Sequence, residues 1–141
     1  MSVKSLTNFA VIVLLVFVLL RGGDPSPGPG PVPDVDPAPF PSDGLAVLIV
    51  YESADKGTYP PSQLNVIDST TLRKFVKDAG GEIRLFDKDI DAQYEAEKWR
   101  EALAKPRDSL PWILISHGGK GYSGALPETV DATKELIQKY K

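Results

Sequence analysis

The stretch Ser109-Leu110-Pro111-Trp112-Ile113-Leu114-Ile115-Ser116, followed by Gly118-Gly119 and then Gly124-Ala125-Leu126, constrains the fold more than any other part of this chain. Leu110 to Ser116 is apolar and β-branched enough to be a buried strand, and a proline without an amide donor suits its opening but not its middle. The glycine pair supplies the positive φ angles of a two-residue hairpin turn, so Lys120 to Ala125 is expected to return as a short edge strand. Pro127 at a first helical position and Glu128 in the first turn open a last helix. Val130, Leu136, Ile137 and Tyr140 give that helix a core face, and Lys139 and Lys141 suit its carboxyl end.

Upstream, Leu45 to Tyr51 is a continuous apolar run and reads as a central strand buried on both faces. Glu52 to Pro61 is a polar loop punctuated by Gly57 and a proline pair. Leu64, Ile67, Leu72, Phe75 and Val76 recur at helical spacing, with Asp68 or Ser69 placed to cap a second segment, so two short helices are expected before the Ala79-Gly80-Gly81 stop. Glu82 to Asp87 alternates as a strand with Ile83 and Leu85 on one face. Ala92 to Ala104 reads as a helix with an apolar stripe from Tyr94 or Glu95 through Trp99 to Leu103, ended by Pro106. The order β-α-β-α-β-β-α describes an α/β domain: strand, helix, strand gives a right-handed parallel crossover, and the hairpin adds antiparallel strands to a mixed sheet.

Leu45 to Tyr140 in this order resembles the thioredoxin-like fold superfamily, a three-layer α/β/α sandwich. The likeness is most specific in Leu110-Pro111-Trp112, where the family places a cis-proline, and in Gly124-Ala125-Leu126 before the last helix. The resemblance implies that Pro111 is the cis-proline and that a redox pair belongs on the loop Ser53 to Pro61. This chain has no cysteine, so it looks like a non-redox member: dithiol exchange, disulfide isomerisation and thiol peroxidase chemistry all need a thiolate. What remains is the surface on which such domains grip extended peptides. Glu52, Ser53, Asp55, Lys56 and Tyr59 on the loop, with Pro111 and an aromatic anchor at Trp112, form the expected binding face. The competing structural role is that Trp112 packs under a helix.

Before the domain, Phe9 to Leu20 is an unbroken apolar run between Lys4 and Arg21. Extended to Leu6, it spans roughly 22 Å as a helix against a hydrocarbon core of about 30 Å, short but workable with snorkelling Lys4 and Arg21. A cleaved secretory signal is the rival, but Arg21 interrupts the small-residue exit such cleavage wants, which favours an uncleaved signal-anchor over residues 1–23. The expectation is a single-pass membrane protein with its carboxyl-terminal domain on the translocated side, secretion after cleavage being the alternative. Most of the 13 prolines lie between Pro25 and Pro41, so residues 24–43 read as an extended, semi-rigid linker, with the domain over 44–141.

Other chemistry finds little support. Asp87, Asp89 and Asp91 have the odd spacing of a calcium loop, but Ala92 stands where that loop needs glycine and Lys98 where it needs a bidentate glutamate, so no metal is expected. His117 is the sole histidine and reads as an exposed turn residue, and Gly118 to Gly121 lacks the context of a phosphate loop. With a net charge of −3 and no basic cluster, nucleic-acid binding is not expected. No cofactor is implied. The favoured function is a membrane-tethered, redox-inactive binding or scaffolding module for a protein or peptide partner. An accessory envelope or viral membrane protein whose anchor is the working part is a second class, and a small enzyme using carboxylates or His117 is a third.

Overall fold

A computed structural model describes residues Asp36–Lys141. The apolar run Phe9–Leu20 and the first part of the proline-rich stretch lie outside the described residues, and among the described residues no helix is long and apolar enough to cross a membrane. The strands are β1 (Ala46–Tyr51), β2 (Glu82–Asp87), β3 (Trp112–His117) and β4 (Lys120–Ala125). The helices are α1 (Pro61–Ile67), α2 (Thr70–Asp78), α3 (Glu97–Ala104) and α4 (Val130–Gln138), with 3₁₀ turns over Ser53–Thr58 and Ala92–Tyr94. The strands form one mixed sheet in the order β2-β1-β3-β4, with β1 and β2 parallel and the other pairs antiparallel. The domain is therefore α/β with a four-stranded mixed sheet.

The apolar run of β1 occupies the middle of the sheet because both of its faces are covered. Val47 and Ile49 point into a cluster with Val66 and Ile67 of α1, Leu72 and Val76 of α2 and Ile137 of α4. Ala46, Leu48 and Val50 point the other way, toward Trp99 and Ala102 of α3, Trp112, Leu114 and Phe40. Each fully buried Val, Leu or Ile in these clusters contributes about 1.5–3 kcal/mol of transfer free energy, so the two apolar faces dominate stability. Ser69 caps α2 by accepting from the Leu72 amide at 3.0 Å, and Gly80 ends it at φ +76°. Gly118 and Gly119, at φ +56° and +85°, make the β3–β4 turn.

Three elements differ from expectation. The helix expected from Ala92 divides: Asp91 caps a single 3₁₀ turn by accepting from the Gln93 amide, and α3 begins only at Glu97. Tyr94, expected on the apolar stripe, is 88% exposed, and the stripe reduces to Trp99, Ala102 and the partly buried Leu103. At the last helix Thr129, not the residue before Pro127, is the cap, accepting from the Ala132 amide. Leu126 still donates to the Pro111 carbonyl at 3.0 Å, which holds the chain extended past β4 and delays the helix.

The third difference is the boundary. Residues 36–43, expected to be the end of the linker, belong to the domain. Pro37 bridges to Lys120 at the outer edge of β4, Ala38 donates to the Gly119 carbonyl, and the Gly121 and Gly118 amides donate to Asp36 and Ser42 carbonyls. Phe40 is only 2% exposed, its ring centroid 5.8 Å from that of Trp99, and its amide donates to Ser116 Oγ. Gly121 permits this close approach, since a Cβ there would collide with the Ile115 carbonyl and crowd Pro39 and Ala38.

Candidate functional site

The pairing register brings the two halves of the expected face to one end of the sheet. Val50 lies opposite Trp112, Tyr51 beside Asp87 and Trp112 opposite Ala125. The carboxyl ends of β1 and β2 thus meet the start of β3 and the end of β4. The Leu110–Pro111 peptide bond at this end is cis. Gln63 of α1 reaches across and donates from Nε2 to the Leu126 carbonyl at 3.0 Å, linking the first helix to the end of β4.

Glu52 leaves β1 and turns back on the loop. Its Oε1 accepts from the Ala54 amide at 3.0 Å, its Oε2 lies 2.9 Å from Lys88 Nζ, and its own amide donates to the Tyr59 hydroxyl at 3.0 Å. Asp87 completes the cap: Oδ2 accepts from the Ser53 amide at 2.8 Å and Oδ1 from the Asp89 amide at 2.9 Å. Hydrogen bonds to the ionised carboxylate, first from the Ser53 side chain and then from the Asp89 and Ser53 backbones, hold Asp87 below the usual carboxylate range. The two amides that open the loop are therefore spent on the chain's own carboxylates.

Glu52 is consequently a largely buried capping group and not a free contact. Ser53 and Asp55 are exposed, Asp55 accepting from Thr58 Oγ1 through its carbonyl. Lys56 Nζ lies 3.5 Å from an Asp68 carboxylate oxygen and 5.2 Å from the centre of the Tyr51 ring. Tyr59 is half-buried, and its pKa is raised by burial first and then by the negative charges of Asp55 and Asp87.

Trp112 does not join these groups. Its side chain belongs to the cluster with Phe40 and Trp99, whereas Tyr51 and Tyr59 pack against the cluster on the opposite face. Trp112 is 9% exposed, and its indole N–H is satisfied by Ser123 Oγ at 2.9 Å. The expected aromatic anchor is thus a core residue, facing away from Tyr59, and Pro111 beside it is buried. The accessible parts of this sheet end include the loop Ser53–Tyr59 and the half-buried Leu110, whose side chain packs against the same cluster as Trp112, so that only its backbone and outer edge adjoin the loop.

Carboxylate oxygens of Glu52, Asp87 and Asp89 lie within 4.8 Å of one another, a grouping the sequence did not reveal because Glu52 is distant in the chain. Lys88 sits against it, 2.9 Å from Glu52 and 3.9 Å from Asp89, and supplies one positive charge to three carboxylates, while the Ser53, Ala54 and Asp89 amides donate to Asp87 and Glu52, so the cluster reads as a polar cap that stays net acidic. Asp91 is turned to Gln93 instead. His117 is at the other end of β3, its Nδ1 2.7 Å from the Tyr140 carbonyl and half-buried instead of exposed. It therefore forms no catalytic set with the carboxylates. No family model, curated protein or solved structure matches the chain.

Proposed function

We propose that this protein is a redox-inactive, thioredoxin-like binding module in which the loop Ser53–Tyr59 and the adjoining Leu110–Pro111 segment grip an extended peptide or protein. The observation that carries the reading is the juxtaposition at one sheet end: the antiparallel register of β1 and β3 sets the Leu110–Pro111 segment beside the loop that follows β1. The mixed sheet with helices packed on both faces supports a three-layer α/β/α sandwich, and the chain has no cysteine for thiol chemistry. Capping of the loop amides by Glu52 and Asp87 supports a rigid surface, preorganised for contact through side chains and the loop's outer backbone. The apolar run Phe9–Leu20 supports tethering to a membrane, with the proline-rich stretch as spacer.

Selection of peptides from a random display library against the full-length chain tests this reading. Gly57 has open space around its Cβ direction, so Gly57→Trp blocks the face without disturbing the core. Selected peptides are expected to bind the native chain and lose affinity for the folded Gly57→Trp variant. Undiminished binding to that variant would move the site elsewhere.

A further inference from the structure

The two edges of the sheet are treated differently. On the β4 side an extended segment is already docked, with Pro37 bridging Lys120 and the Gly121 amide donating to Asp36. On the β2 side no described residue pairs with the outer edge. The Glu82 amide donates to the Leu45 carbonyl and the Lys88 amide to the Tyr51 carbonyl. By the two-residue alternation of a parallel ladder, even-numbered β2 residues bond to β1, and the amides and carbonyls of Ile83 and Leu85 face outward. The Asp87 carbonyl is taken by the Ile90 amide, which closes this free edge at its carboxyl end.

Cations flank that edge on both sides. Arg73 and Lys77, four apart on α2, line a groove of about 450 Å³ with Gly81, Ile83 and Arg84. Arg84 lies in register with Leu48 of the opposite cluster, so it stands on the other face of the strand. All three are exposed, and none forms an ion pair among the described residues. Glu82, the carboxylate lining the same groove, is engaged by Lys98. An open backbone edge with unneutralised positive charge above and below it is complementary to one kind of occupant.

We infer that the outer edge of β2 is a second docking surface, which accepts an extended acidic segment of a partner protein as an added strand. Main-chain hydrogen bonds to Ile83 and Leu85 supply the pairing. Alternate carboxylates of the incoming strand meet Arg73 and Lys77 on the α2 side and Arg84 on the other. The same charges repel a basic strand, so the edge discriminates by sign.

The test uses the full-length chain in mild non-ionic detergent and a capped peptide in which pairs of glutamates alternate with pairs of valines, so that successive carboxylates point to opposite faces of the added strand. Controls are its lysine-valine counterpart and a fully N-methylated glutamate-valine copy. The acidic peptide is expected to bind, to slow hydrogen exchange at the Ile83 and Leu85 amides, and to weaken as salt is raised. Arg73→Glu combined with Lys77→Glu, two exposed changes checked for folding by circular dichroism, is expected to weaken it about ten-fold. The inference is overturned by equal binding of the lysine peptide, by retained affinity of the N-methylated copy, or by unchanged exchange at Ile83 and Leu85. Absence of binding up to about 1 mM overturns it as well.

Discussion

Replacing Phe40 with alanine tests whether the end of the proline-rich stretch is part of the domain. Phe40 is 2% exposed and lies against Trp99 at a 43° interplanar angle. Truncating a buried phenylalanine costs about 3–5 kcal/mol, of which the aromatic pairing accounts for about 0.5–1.5 kcal/mol. The segment is peripheral, however, and can undock while the sheet persists. Its four backbone anchors, at Ser116 Oγ, Gly119, Gly118 and Gly121, contribute about 0.5–1.5 kcal/mol each and are lost together when it leaves. Because undocking limits the loss to the net stabilisation that the docked segment confers, after its ordering entropy, the expected loss is near the low end, about 3 kcal/mol, measured by urea unfolding of the full-length chain. The denaturant slope should also fall if the segment has already come away in the native state. Hydrogen exchange supplies the local readout: the Gly118 and Gly121 amides, which donate to Ser42 and Asp36, should lose protection ahead of the β1 amides. A loss below about 1 kcal/mol with Gly118 and Gly121 still protected would refute the account of how this segment is held.

Trp112→Ala should destabilise the domain by about 3–5 kcal/mol in the same unfolding assay, whereas Ser123→Ala, which removes only the partner of the indole N–H, should cost about 1 kcal/mol. Equal, small effects of both would mean that Trp112 is not a core residue. Asp87 titrates below the usual carboxylate range in the folded protein, so it contributes stability that is fully present above its unfolded pKa and is lost as pH falls through its folded value. Unfolding measured from about pH 5 downward should show this acid-side loss. Asp87→Asn should flatten it, and an unchanged acid limb would contradict the capping role.

Much of the fold is legible in the sequence because its signals are local. The apolar run of β1, the Ser69 cap, the Gly80 stop and the Gly118-Gly119 turn each depend on a few adjacent residues, and each lies where the pattern places it. Phe40 was not legible: a single aromatic among prolines has no period, and its docking depends on a tertiary approach that only Gly121 permits. The facing of Trp112 was hidden for a different reason. Where both faces of a strand are apolar, alternation no longer marks inside from outside, so nothing in Leu110–Ser116 assigns Trp112 to the α3 side rather than to the side of Tyr59. Glu52 read as a free polar group because its partners, Lys88 and the returning Ala54 amide, are set by the parallel β1–β2 register and by a 3₁₀ turn. The residues of the expected face do come to one end of the sheet, but which of them are core, capped or free was sorted only by three-dimensional pairing.

The central claim is that the loop after β1 and the Leu110–Pro111 segment form one binding surface. Chemical-shift mapping of a selected peptide on the isotope-labelled full-length chain tests it most directly. The expected result is a contiguous set of perturbed amides over Ser53–Tyr59 and at Leu110 and Trp112, with the Gly118–Gly119 turn at the other end of the sheet unchanged. Perturbations confined to that turn, or to Ile83 and Leu85 on the outer edge of β2, would contradict it.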